Sequence, residues 1–290
     1  MSVKFGKIIA ALRKEQFDPI EGRVLSQETL AQRANLSSRT IGEIERGKKV
    51  VLDQGTLKSL AIALNLGPLE QREFFYAALG MEHDKTADKK NPEEILQRLI
   101  EELRTLQIPA MIHDSLYFVI AVNEAWLKVK GLSHLDCLNL RESRKHSNKL
   151  NYIELLLHES LSVNRVYGRH WKKFLSMVIK NFRVISLQLC HMDEYRDLLK
   201  LLLAYPLFRE EWQRYLSNQP TYQNVDFKVN YDHPQLGQLM LSIYRQTTVT
   251  PFGRLYHSVE TPNSRETISV LASLRENKRG QTFRFSEWGK

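Results

Sequence analysis

Apolar positions in the first 80 residues recur every three or four places, the period of one buried face of a helix. Phe5, Ile8, Ile9 and Leu12 predict an amphipathic helix over Phe5–Gln16. Leu25, Leu30 and Ala31, then Ile41 and Ile44, predict two short helices joined by a tight turn within LSQETLAQRANLSSRTIGEIERG, Leu25–Gly47. Ser26 and Ser37 stand where a side-chain oxygen caps free backbone N–H groups, and Gly47 stands where a left-handed residue ends a helix. Ser26 is followed three places on by Thr29 rather than Glu, so a cap is expected and not a capping box. TLKSLAIALNL (56–66) and PLEQREFFYAAL (68–79) read as two closing helices, with Phe74, Phe75 and Tyr76 expected in the core. Between the first two helices, FDPIEGRV (17–24) carries the turn pairs Asp18-Pro19 and Glu21-Gly22 and reads as an exposed loop.

Periodicity stops in GMEHDKTADKKNP (80–92), where charges alternate and no apolar face exists. Pro92, Glu93 and Glu94 then open a new helix to Leu106. This divides the chain into residues 1–80, a linker over 81–92, and a second domain over 93–290. Within the second domain, residues 108–131 predict a strand, a turn at His113-Asp114-Ser115, a second strand and a helix. Asn151 to Leu216 is helical apart from a turn near Ser162–Tyr167. The pattern then changes to alternation in DFKVNY (226–231), QLMLSIYRQT (238–247) and GRLYHSVET (253–261), the mark of antiparallel strands. Residues 265–275 fit either a further strand or a short helix. The fold class is therefore mixed: an all-α five-helix domain, then an α+β domain with an antiparallel sheet and flanking helices.

Composition narrows the function. The 290 residues carry a net charge of +9, which suits a polyanionic partner. Residues 1–80 hold 12 Lys+Arg against 9 Asp+Glu, so the excess is spread along the chain and the motif carries more than the charge. No apolar run reaches transmembrane length, and the N-terminus lacks the long apolar core of a signal peptide. A cytoplasmic protein without a membrane partner is expected. Cys137 and Cys190 are the only cysteines and read as two buried free thiols. No HExxH, zinc-spaced Cys/His set, GxSxG, phosphate loop or GxGxxG is present, so no metal site, catalytic residues or enzyme activity are expected.

LSQETLA, TIGEIERG and TLKSLAIAL stand in the order found in the Xre/Cro family of phage and bacterial repressors, and residues 5–80 resemble its helix-turn-helix domain. The resemblance implies that the second helix of the pair enters the major groove of a double-stranded DNA operator. Ser37, Ser38, Arg39, Thr40, Glu43 and Arg46 then face bases or phosphates. Arg39 could read guanine, and Glu43 could accept from cytosine or pair with Arg39 or Arg46. Gln27, Lys48 and Lys49 are phosphate candidates, and Arg23 in the loop either joins them or is solvated. Arg13 is expected to pair with Glu45.

PAMIHD…VNEAW, Trp171, PLFREEW (206–212), DHPQLGQLMLSIY (232–244) and VETPNS (259–264) together resemble the PAS-like ligand-binding domain of MmyB-like regulators. The chain departs from the family pattern in two places: the first strand usually carries a Trp near Tyr117, and a His usually stands where Tyr215 does. The resemblance implies a homodimer and a pocket for a small apolar ligand, with no required cofactor but a bound fatty acid such as a myristate-like molecule. Tyr117, Phe118, Ile120, Trp126, Trp171 and Phe174 are the expected lining, or ordinary core, and His170 and Arg183 are candidates for orienting a carboxylate. The alternative is a protein-interaction or dimerisation module that holds no small molecule.

Overall fold

The computed structural model describes residues 3–18, 22–48, 51–80, 91–143, 149–217, 228–250, 253–274 and 280–288. In chain order they form α1 (Val3–Glu15), β1 (Phe17–Asp18), β2 (Arg23–Val24), α2 (Gln27–Ala34), α3 (Ser38–Glu45), α4 (Gln54–Ala63) and α5 (Pro68–Ala78). There follow α6 (Pro92–Thr105), β3 (Ala110–Asp114), β4 (Val119–Asn123), α7 (Glu124–Lys130), α8 (His134–Glu142), α9 (Tyr152–Leu157), α10 (Asn164–Tyr167) and α11 (Trp171–Ser186). The chain ends with α12 (Asp193–Leu203), α13 (Pro206–Ser217), β5 (Lys228–His233), β6 (Gly237–Thr250), β7 (Gly253–Pro262), α14 (Arg265–Ser273) and β8 (Thr282–Arg284). Packing sorts them into two units: Met1–Glu82 with Lys180–Asn224, and His83–Ile179 with Val225–Lys290. The expected linker falls largely on residues 81–90, outside the described set.

The first unit is helical. Phe5, Ile8, Ile9, Leu12, Leu30, Ile41, Ile44, Leu60 and Phe74 are buried together, and the Phe5 and Phe74 rings lie 4.9 Å apart. Gly6 makes the α1–α3 crossing close: a Cβ there would stand 2.3 Å from the Ile44 carbonyl oxygen. The aromatic trio of α5 does not share one face. Successive residues are 100° apart on a helix, so Phe74 is buried while Tyr76 is 38 % exposed. The stretch expected as a loop holds a short ladder, Phe17↔Val24 and Asp18↔Arg23, because β-branched and aromatic ends flank the turn residues.

Lys180–Asn224 belongs to this helical unit and not with the rest of 93–290. Arg183 shows why. Its fully buried guanidinium donates to Glu70 Oε1 at 2.9 Å and pairs with Glu15, and it lies over the Trp212 ring. Tyr215 donates to Glu70 at 2.9 Å, Gln188 donates to Glu73 at 3.0 Å, and Asn65 donates to the Leu216 carbonyl. Phe182, Tyr195, Phe208 and Trp212 supply the apolar part of the same packing.

In the second unit six antiparallel strands lie in the order β5-β6-β7-β3-β4-β8. One face packs against α6, where Leu96, Leu99 and Leu103 meet Ala110, Ile112, Ile120 and Leu255. Asn123 joins the pieces of the VNEAW motif: its Oδ1 caps α7 through the Trp126 N–H and accepts from Ala110, and its Nδ2 donates to the Leu106 and Ile108 carbonyls. Residues 265–273 are helical, with Ser264 as the cap.

Candidate functional site

The second helix of the expected DNA-binding pair, α3, is positioned from behind. Ser37 caps it by accepting from the Thr40 N–H at 3.0 Å, and its hydroxyl also pairs with that of Thr40. Ile41 and Ile44 anchor the inward stripe. Arg13 forks onto Glu45, with Nε to Oε1 at 2.7 Å and Nη2 to Oε2 at 3.1 Å, and its Nη1 donates to the Leu25 carbonyl. Gln27 donates to the same Glu45 at 2.6 Å, so it buttresses α3 from α2. Three helices are thus tied to one half-buried carboxylate.

The outward side is left polar. Ser38, Arg39, Arg46 and Lys48 are exposed, and the first turn of α3 contains no acidic residue. Arg39 projects with 87 % of its side chain exposed and shares its Nε with Glu43 at 3.0 Å, an exposed pair easily exchanged for another partner. The Arg46 guanidinium lies against Gly42, where the missing Cβ leaves it room. Ser37 and Thr40 are engaged in the cap. Lys49 lies outside the described residues.

The interior of the second unit has a different character from an aliphatic pocket. On the sheet face opposite α6, the strands present Met111 and His113, Tyr231, and Tyr256, Ser258 and Glu260, as the registers His113↔Tyr256 and Met111↔Ser258 require. A run of rings crosses this face. Tyr256 and His113 have centroids 5.3 Å apart, His113 and Tyr117 4.4 Å, and Tyr117 and Tyr152 6.0 Å. Trp126 packs on Tyr152, which hydrogen-bonds to Tyr167; Tyr167 stacks on Phe174 at 4.1 Å and on Tyr231 at 4.7 Å, with Trp171 beside it.

Two cations serve the ends of this run. Lys130 is fully buried, donates to Tyr167 at 3.0 Å and to Glu260 at 2.7 Å, and hydrogen-bonds to Tyr231. Tyr231 in turn donates to Glu260 Oε2 at 2.6 Å. Burial pulls the Lys130 ammonium below the lysine range, against the attraction of Glu260, and raises the phenols of Tyr152, Tyr167 and Tyr231 well above theirs. At the other end Arg245 donates to the Tyr117 hydroxyl at 2.9 Å.

Tyr117, Trp126, Trp171 and Phe174 are brought together in this one run of rings. Ile120 is not; it faces α6 on the other side of the sheet. Phe118 bridges to Asn151 through its backbone and lies under Lys149. His170 faces Asp232, with Nε2 3.9 Å from Oδ2. Arg183 is taken up in the ion cluster of the other unit, between Glu15 and Glu70. Among the described residues no group of three or more His, Cys, Asp or Glu could hold a metal ion, and no helix is long and apolar enough to cross a membrane.

A helix-turn-helix family model matches residues 23–71, spanning α2, α3 and α4. No curated relative matches the chain. A second family model, the ligand-binding domain of MmyB-like transcription regulators, matches residues 92–274, which is well over half of the sequence. The chain pairs a DNA-binding helix-turn-helix with that domain, and it belongs to the MmyB-like family of ligand-responsive transcription regulators.

Proposed function

We propose that this regulator binds a near-palindromic operator as a homodimer, with two copies of α3 in successive major grooves about 34 Å apart. Its second unit senses a small ligand with a largely apolar body, of the fatty-acid kind. The observation that carries the DNA-binding half is the outward α3, braced at Glu45 by Arg13 and Gln27 while Arg39, Arg46 and Lys48 remain exposed. Ligand changes operator affinity only if it binds one state of the protein better than the other.

A fluorescently labelled operator selected from a random library tests the DNA claim. Binding is expected to saturate and to weaken steeply with salt as phosphate contacts release counterions. Arg39→Ala is expected to relax preference at one base position, costing about 1–3 kcal/mol there. Gln27→Ala should weaken all sequences together, because it loosens Glu45 rather than a base contact. Salt-insensitive, non-saturating binding would sink the proposal.

A second reading, a dimerisation module without a small molecule, is favoured by the self-contained Lys130–Glu260–Tyr231 network, which needs no outside partner. Denaturing extraction followed by mass spectrometry separates the two. A stoichiometric small molecule supports the sensor; an empty extract supports the module.

A further inference from the structure

Arg245 differs from Lys130, the cation at the other end of the run of rings. Lys130 has Glu260 as its counter-ion. Arg245 pairs with no carboxylate among the described residues; its partners are the Tyr117 hydroxyl at 2.9 Å and Ser258 Oγ, 3.4 Å from its Nε. The guanidinium carbon lies 5.7 Å from the ring centres of both Tyr117 and Tyr256. Ring faces hold a cation without neutralising it. That leaves Nη1, and one hydrogen of Nη2, with donors to spare.

Among the described residues, the group packed closest to this guanidinium adds no charge of its own. His113 is stacked between the same two tyrosines, with Nδ1 2.8 Å from the Asp114 carbonyl oxygen and Nε2 3.3 Å from Ser258 Oγ. Burial, with Arg245 as the second cause, pushes its pKa down to about 3, so it stays neutral. Among the described residues the seat therefore carries a single positive charge, which suits a monoanion. Tyr117, whose hydroxyl accepts the hydrogen bond from Arg245, is held at φ +63°, a conformation a bulky residue rarely adopts. Arg245 is half-buried, and among the described residues the pairing of β5 with β6 ends at Ser242, before it.

We infer that Arg245, flanked by Tyr117 and Tyr256 and backed by Ser258, is the seat for the carboxylate of a monocarboxylic acid whose apolar or aromatic body lies along the Tyr117–Tyr152–Trp126 rings. The planar fork of a guanidinium matches a carboxylate in two parallel hydrogen bonds, which an ammonium cannot do. The inference rests on the ligand-sensing reading above and adds the group that recognises the acid.

The test uses the full-length protein and four probes, decanoate and 5-phenylvalerate, each against its primary alcohol, titrated by calorimetry with tryptophan fluorescence in parallel. Wild-type protein is expected to prefer each acid to its alcohol. Arg245→Met should lose about 10- to 100-fold in affinity for the acids, the usual scale for a lost charge-assisted hydrogen bond, and keep its affinity for the alcohols. Arg245→Lys keeps the charge and loses the fork, so it should fall between them; it also serves if the Met variant does not fold. Acids bound equally by wild type and both variants, or alcohols bound as well as acids, would overturn the seat and leave the sensor reading standing. If none of the four probes binds, the seat and the apolar-ligand reading fall together, and DNA binding is untouched.

Discussion

His113 shows how one residue can set a pH limit on the whole second unit. Its folded pKa is about 3, against about 6.5 when free, because the ring is fully buried beside Arg245. A histidine depressed in this way contributes stability that is fully present above pH 6.5 and is lost as the pH falls toward 3. Through that window the unfolded chain holds one more proton, which costs about 1.4 kcal/mol of stability per pH unit. His113→Gln removes the proton-binding difference while keeping a polar group near Ser258. Denaturant unfolding of both proteins at pH 7, 6, 5 and 4 is expected to show a stability gap that shrinks or reverses on acidification. A gap independent of pH would mean that His113 takes up its proton in the folded state as readily as in the unfolded one. The buried thiols of Cys137, pushed up to about 12, and Cys190 contribute no titration in this range.

At the scale of elements, the end of α11, with α12 and α13, is part of the DNA-binding unit by virtue of a few long-range bonds. Arg183 lies between Glu15 of α1 and Glu70 of α5, both carboxylates nearly removed from water. Removing one partner of such a cluster leaves charge stranded, so Arg183→Met is expected to cost about 3–5 kcal/mol. Adding Glu15→Gln and Glu70→Gln should recover much of that, since neutral partners carry no such penalty. The denaturant midpoints of the single and triple variants check it, and equal midpoints would show that the cluster is not what holds these helices. None of this pairing was legible in the sequence, where Arg183 read as a candidate ligand anchor. Its partners are 168 and 113 residues away, beyond the reach of any local pattern. The helix-turn-helix was legible almost to the residue, because its caps and apolar stripes lie within one short stretch, while the Arg13–Glu45 pair was expected from the family resemblance. The sheet interior was half legible. Alternation located β5, β6 and β7, but β7 is covered on both faces, with Leu255 and Val259 against α6 and Tyr256, Ser258 and Glu260 buried on the other side, and a period of two does not reveal a second covered face. β8 is too short to show a period at all.

For the molecule as a whole, a regulator requires that the two binding events share free energy. If an acid changes operator affinity by some factor, operator must change acid affinity by the same factor, because both describe one thermodynamic cycle. Couplings of this kind are typically about 1–3 kcal/mol, or about 5- to 150-fold. The expected result is that saturating decanoate shifts the operator binding curve, and saturating operator shifts the decanoate curve equally. Arg245→Met should raise the decanoate concentration that shifts the operator curve by about the same 10- to 100-fold, while leaving ligand-free operator binding unchanged. Arg39→Ala should do the opposite: weaken the operator and leave decanoate affinity alone. Unequal factors would point to a second ligand site or to a change in oligomeric state during the titration. An operator curve indifferent to saturating acid would separate the two halves altogether. The chain would then bind DNA and bind a ligand without either event informing the other, and the proposed sensing mechanism would be lost.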